Sequence, residues 1–84
     1  MRELPRFISA YERRQRIEAV MKLQGITWFG LGKIANCYTT TINRAMRVEP
    51  GSKDRASVEM IKRVAKALGV SAGFLIDRKE TKHD

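Results

Sequence analysis

The sequence lacks most of the groups that chemistry at an active site needs. It has one cysteine, Cys37, and one histidine, His83. A single cysteine excludes an internal disulfide and a cysteine-based zinc cluster. It fits a reducing compartment, and Cys37 reads as a small core residue rather than a redox switch. His83 lies in a polar stretch, where no metal or catalytic role is expected of it. No Gly-rich phosphate loop, paired-carboxylate site or nucleophile motif is present, and the carboxylates lie scattered along the chain. The expectation is therefore no catalysis, no cofactor, no metal and no small-molecule ligand. No apolar run approaches the roughly 18 residues of a membrane span. Met1 to Arg6 is charged and leads into no uninterrupted apolar stretch, so no signal peptide is expected. The chain is expected to be cytoplasmic and to engage no membrane.

Acidic residues are scarce relative to basic ones: 9 Asp plus Glu against 17 Lys plus Arg, a formal net charge of +8. Such an excess attracts polyanions, nucleic acid first among them. A membrane surface, an acidic partner or mere solubility are the other readings of the charge alone. The length, 84 residues, makes one domain. A chain this short buries about 60–65% of its unfolded surface, which suits a few packed helices better than a deep cavity.

Strand signals are also missing, since no segment alternates between hairpin turns. Residues 1–8 read as an N-terminal arm, 9–77 as the folded domain and 78–84 as a polar tail. A first helix runs from about Ser9 to Leu23, with Tyr11, Ile17, Val20 and Met21 at helical spacing. Ser9 and Glu12 form a candidate capping box, and Gly25 stops the helix. Thr27 caps a second, short helix from Trp28 to Ala35, with Leu31 and Ala35 inward. Asn36 tolerates the left-handed conformation that ends it. Thr39 is the candidate cap of a third helix reaching about Arg47, with Ile42 and Ala45 on one face. Glu49 to Asp54 is a loop. Ser57 caps a fourth helix whose buried stripe is Val58, Ile61, Val64, Ala65 and Leu68, and Gly69 stops it. Ser71 caps a short fifth helix containing Phe74 and Leu75.

Two short helices joined by a tight turn need apolar residues at Leu31, Ala35, Cys37, Ile42 and Ala45. They also need a small residue, Gly32, where they approach, and Asn36 at the turn. The stretch Thr27–Met46, TWFGLGKIANCYTTTINRAM, supplies all of these. It resembles the helix-turn-helix of the phage repressor and Cro family, also called lambda-repressor-like or XRE-type. Lys66-Ala67-Leu68-Gly69-Val70-Ser71, followed by Gly73-Phe74-Leu75-Ile76, is similar to that family's junction between its fourth and fifth helices.

The resemblance implies an all-α, compact five-helix domain whose second and third helices form the helix-turn-helix. It implies a sequence-specific double-stranded DNA-binding transcriptional regulator, a repressor in the first instance, reading the major groove with the third helix. The partner would be an operator, bound by a homodimer on a palindromic site. Carried over, base contacts fall to Tyr38, Thr39, Thr40, Asn43 and Arg44. Backbone contacts fall to Thr27, Trp28, Lys33, Thr41, Arg47, Lys53 and Arg55. Arg44 suits guanine O6 and N7, and Asn43 suits adenine N6 and N7. Phe74 and Ile76 are the candidate dimer interface. An antitoxin or a restriction–modification controller, autoregulating through the same motif, is the alternative within the fold. A protein-interaction module that has kept the fold but lost DNA binding is the alternative of a different class.

The chain departs from the family pattern at Asn36, where Gly is usual, and at Trp28, Phe29 and Ile34, which are often polar. Trp28 could give its indole N–H to a phosphate. Phe29 is expected to pack under the arm against Phe7 or Tyr11, or else to stay exposed at a protein interface. Gly30 has no evident reason to be glycine. Arg13, Arg14 and Arg16 read either as phosphate contacts or as a merely exposed helical face, and Lys62, Arg63 and Lys66 as a solvated face.

Overall fold

The structure, a computed structural model, describes residues 7–78. Four α-helices account for most of them: α1 (Ala10–Gln24), α2 (Trp28–Ala35), α3 (Thr39–Met46) and α4 (Val58–Leu68). The architecture is all-α, and among the described residues the only strand-like feature is an isolated bridge between Phe7 and Asp77. No helix among them is long and apolar enough to cross a membrane.

Local chemistry sets the helix ends. The hydroxyls of Ser9, Thr27 and Ser57 accept hydrogen bonds from the N–H groups of Glu12, Gly30 and Met60, satisfying donors that the first turn leaves unpaired. Gly25, Asn36 and Gly69 sit in the left-handed region at the C-caps of α1, α2 and α4. The capping box of α1 is only half made. The Glu12 carboxylate takes two hydrogen bonds from the Arg78 guanidinium, each 3.0 Å, so Arg78 closes the domain onto α1.

The fifth helix of the sequence reading is a single 3-10 turn, Ala72–Leu75. Gly73 disfavours helix there. The Arg16 guanidinium also takes up the carbonyls of Phe74, Asp77 and Arg78, which a longer helix would have used.

The core gathers Ile17, Val20 and Met21 of α1, Leu31 and Ala35 of α2, and Ile42, Ala45 and Met46 of α3. Ile61, Val64, Ala65 and Leu68 of α4 and Leu75 of the 3-10 turn complete it. Val58, expected in the buried stripe, is 60% exposed. It is the first residue of α4, and that end points away from the core.

The basic face expected of α1 is not a solvated face. Arg13 is 4% exposed. Its Nε donates to the Leu75 carbonyl at 2.8 Å, and its two terminal nitrogens donate to Asp54 at 2.9 and 3.0 Å. Arg14 donates to Glu18 and to the carbonyl of Val48, both half-sheltered contacts. All three arginines therefore tie α1 to distant chain, Arg13 to Asp54 and Leu75, Arg14 to Val48, and Arg16 to the segment after the 3-10 turn.

The Arg13 guanidinium beside Asp54 holds that carboxyl below its ordinary value near 3.8. Partial burial opposes the shift and the Ala56 N–H reinforces it. A depressed folded-state value means that the ionised form favours folding. That contribution is complete above the unfolded value and is lost as pH falls through the folded one. The urea midpoint should accordingly drop below about pH 4. An Asp54→Asn variant should be weaker at neutral pH and show a shallower acid limb. Superimposable acid limbs would refute the assignment.

Candidate nucleic-acid interface

The connection between α2 and α3 is three residues, Asn36 to Tyr38. Asn36 has φ 59° and ψ 46°, and its N–H donates to the carbonyl of Lys33 at 3.2 Å. Cys37 N–H donates to the Gly32 carbonyl at 2.9 Å. Two carbonyls at the end of α2 are thus satisfied inside the connection, and the chain is turned sharply into α3. Cys37 is half-buried against the core, as a packing residue.

Gly32 marks the close approach. A Cβ there would lie 3.1 Å from the Cys37 carbonyl oxygen and 3.2 Å from Thr39 Oγ1. Gly30 is different: a Cβ would meet Thr27 Oγ1 at 3.4 Å and Ile26 Cγ2 at 3.5 Å, ordinary contacts. Gly30→Ala should therefore raise stability by about 0.5–1 kcal/mol through helix propensity. Gly32→Ala should gain nothing or lose, because the connection must move. Denaturant midpoints of the two variants check this, and equal gains would remove the close-approach argument.

Ile42, Ala45 and Met46 fix one side of α3 in the core. At 100° per residue the opposite side carries Thr40, Arg44 and Arg47, with Thr41 flanking. All four are exposed. Among the described residues Arg44 makes no hydrogen bond and no ion pair. Tyr38 is 83% exposed at the N-terminus of α3. It is also the N-cap, without a side-chain hydrogen bond, in place of Thr39. Thr39 is half-buried with its hydroxyl turned toward Gly32, which removes it from the cap and from the outer surface. Asn43 stands at the edge. Its Oδ1 is buried and has no hydrogen-bond partner, so in this rotamer the amide cannot offer both of its ends to an adenine.

Arg44, Arg47, Lys53 and Arg55 share one concavity of about 410 Å³ with Asn43, Val48, Glu49 and Ser52. Arg44, Lys53 and Arg55 thus border one space with a single free carboxylate, Glu49, while Arg47, which also lines it, has its guanidinium over the Trp28 ring. On the other flank, Lys33, Tyr38 and Thr41 line a groove of about 510 Å³ with Met60 and Arg63 of α4. Arg63, which read as part of a solvated face, is drawn there toward Cys37 Sγ at 3.9 Å. Only the packing of α4 beside the connection, not a local pattern, could have revealed it.

No family model, curated protein or solved structure matches the chain.

At the start of α2, Thr27 Oγ1 caps the helix by accepting the Gly30 N–H, a bond that does not use its own O–H proton. Trp28 does not offer its indole N–H to solvent: it donates to Glu18 Oε2 at 3.3 Å. Its ring instead carries the Arg47 guanidinium, 5.7 Å from the centroid. Residues 1–6 of the expected arm lie outside the described residues, and the expected Phe29–Phe7 contact is absent. Phe29 is 62% exposed, with Lys33 Nζ 5.5 Å from its ring centroid. Phe7 lies elsewhere, bridged to Asp77. Phe74 and Ile76 are half-buried against the core, and Arg16 covers the Phe74 ring at 5.2 Å, which leaves little apolar area for a partner.

Proposed function

We propose that this chain is a sequence-specific double-stranded DNA-binding regulator, acting as a repressor by covering its operator. α2 and α3 serve as a helix-turn-helix, with α3 in the major groove. The reading rests on the outer side of α3: Thr40, Thr41, Arg44 and Arg47 all project away from the core. An α-helix fits the major groove, and an Arg in that position reads guanine with two hydrogen bonds. Arg47, Lys53 and Arg55 converge beside it, where phosphates of the flanking strand would lie. Thr27 and the N-terminus of α2 face the opposite strand's phosphates. The net charge of +8 supports the same partner. So does the resemblance of Thr27–Met46 to the phage repressor and Cro family.

The test is selection of bound sequences from a random duplex pool, followed by titration of the winner across salt. A palindromic consensus bound by two copies, with affinity falling steeply as salt rises, is the expected result. Failure to enrich any sequence, with no salt-dependent binding to duplex, would overturn the proposal. Exposed Phe29 and Ile34 on α2 favour a second reading, a protein-docking module. That reading predicts no duplex binding at all.

A further inference from the structure

The loop between α3 and α4 has almost nothing of its own to hold it. Residues 49–55 are all exposed, and its apolar anchors are Val48 at one end and the half-buried Ala56 at the other. Pro50 and a left-handed Gly51 shape a turn, closed by Ser52 N–H donating to the Glu49 carbonyl at 3.1 Å. Between those ends one side chain reaches back into the protein. Asp54 accepts both terminal nitrogens of the buried Arg13, and its Oδ1 also accepts the Ala56 N–H at 3.1 Å. Arg13 is itself fixed by the Leu75 carbonyl. The residues on either side of Asp54 are Lys53 and Arg55, two of the four cations in the concavity beside α3.

We infer that Asp54 is a positioning residue for DNA binding. By latching onto Arg13, it sets Lys53 and Arg55 beside Arg44 and Arg47, as one preformed cradle for a phosphate flanking the major groove. The inference rests on the proposed DNA-binding reading. It explains an otherwise contrary feature, an acidic side chain in the middle of a basic surface: its charge is consumed by Arg13 and its backbone carries the cations on both sides. A loop already held in place binds phosphate without the ordering cost that a free loop incurs.

The latch and simple electrostatics make opposite predictions. Removing a carboxylate from a basic surface should by charge alone tighten binding to a polyanion. Positioning requires the reverse. The experiment measures affinity of the full chain for a 30-base-pair random-sequence duplex by anisotropy between roughly 50 and 200 mM salt. Asp54→Asn should bind about three- to tenfold more weakly near 0.1 M salt, with the log–log salt slope reduced by about 1 to 2, as for one or two lost phosphate contacts. Lys53→Ala with Arg55→Ala should weaken the parent strongly and the Asp54→Asn background little.

Asp54→Glu covers the case in which Asp54→Asn fails to fold. It keeps the charge and reaches Arg13, but displaces the backbone at 54, so a reduced slope in a folded protein reports placement alone. Tighter binding by Asp54→Asn, or an unchanged slope in both variants, overturns the inference. If the parent itself shows no salt-dependent duplex binding, the DNA-binding reading fails instead, and the two failures are told apart.

Discussion

Ile42→Ala should be among the most damaging single truncations in the molecule. Ile42 is fully buried and anchors the middle of an eight-residue helix. Truncating such a side chain removes its transfer free energy and leaves a cavity that the surroundings fill only in part, at a cost of about 2–5 kcal/mol. A domain of this size has a total stability of about 4–12 kcal/mol. A large share of it would go, and α3 is too short to hold its helix without packing. Chemical denaturation should show a midpoint lowered by a third or more, with near-unchanged dependence on denaturant. A loss below about 1 kcal/mol would mean that α3 is not seated as described.

Arg44→Ala should have the largest effect on function and little effect on stability. The side chain is exposed and makes no hydrogen bond or ion pair among the described residues, so folding loses nothing specific with it. A two-point pairing with guanine discriminates by about 1–3 kcal/mol, a loss of roughly five- to hundredfold on the selected sequence. Random duplex should lose no more than one cation's share. The measurement is the ratio of the two affinities, parent against variant, at one salt concentration. Equal losses on both would reassign Arg44 from reading bases to holding phosphate.

Much of the helix layout was legible because its determinants are local. Ser9, Thr27 and Ser57 cap through their own hydroxyls, and Gly25, Asn36 and Gly69 stop helices through their own backbone conformation. Spacing alone identified Leu31, Ile42 and Ala45 as inward and left Thr40 and Arg44 outward. What escaped depends on partners far away in sequence. Arg13 reads as one more exposed cation until Asp54, 41 residues on, and Leu75, 62 residues on, are brought to it. The capping box at Glu12 fails because Arg78 competes for the same carboxylate. Thr39 yields the cap to Tyr38 because it is itself the first helical residue of α3, with its hydroxyl beside Gly32. The edge position of Asn43 follows from a side-chain orientation that no spacing rule records.

The stacking of Arg47 on Trp28 has a practical consequence. Trp28 is the chain's only tryptophan, so tryptophan emission, excited beyond the absorption of Tyr11 and Tyr38, comes from one place, the seam where α1, the start of α2 and the end of α3 meet. Whatever draws the guanidinium off the indole changes the polarity around that single fluorophore. The molecule thus carries an unlabelled optical gauge of what happens at the far end of α3, readable in solution without altering a residue.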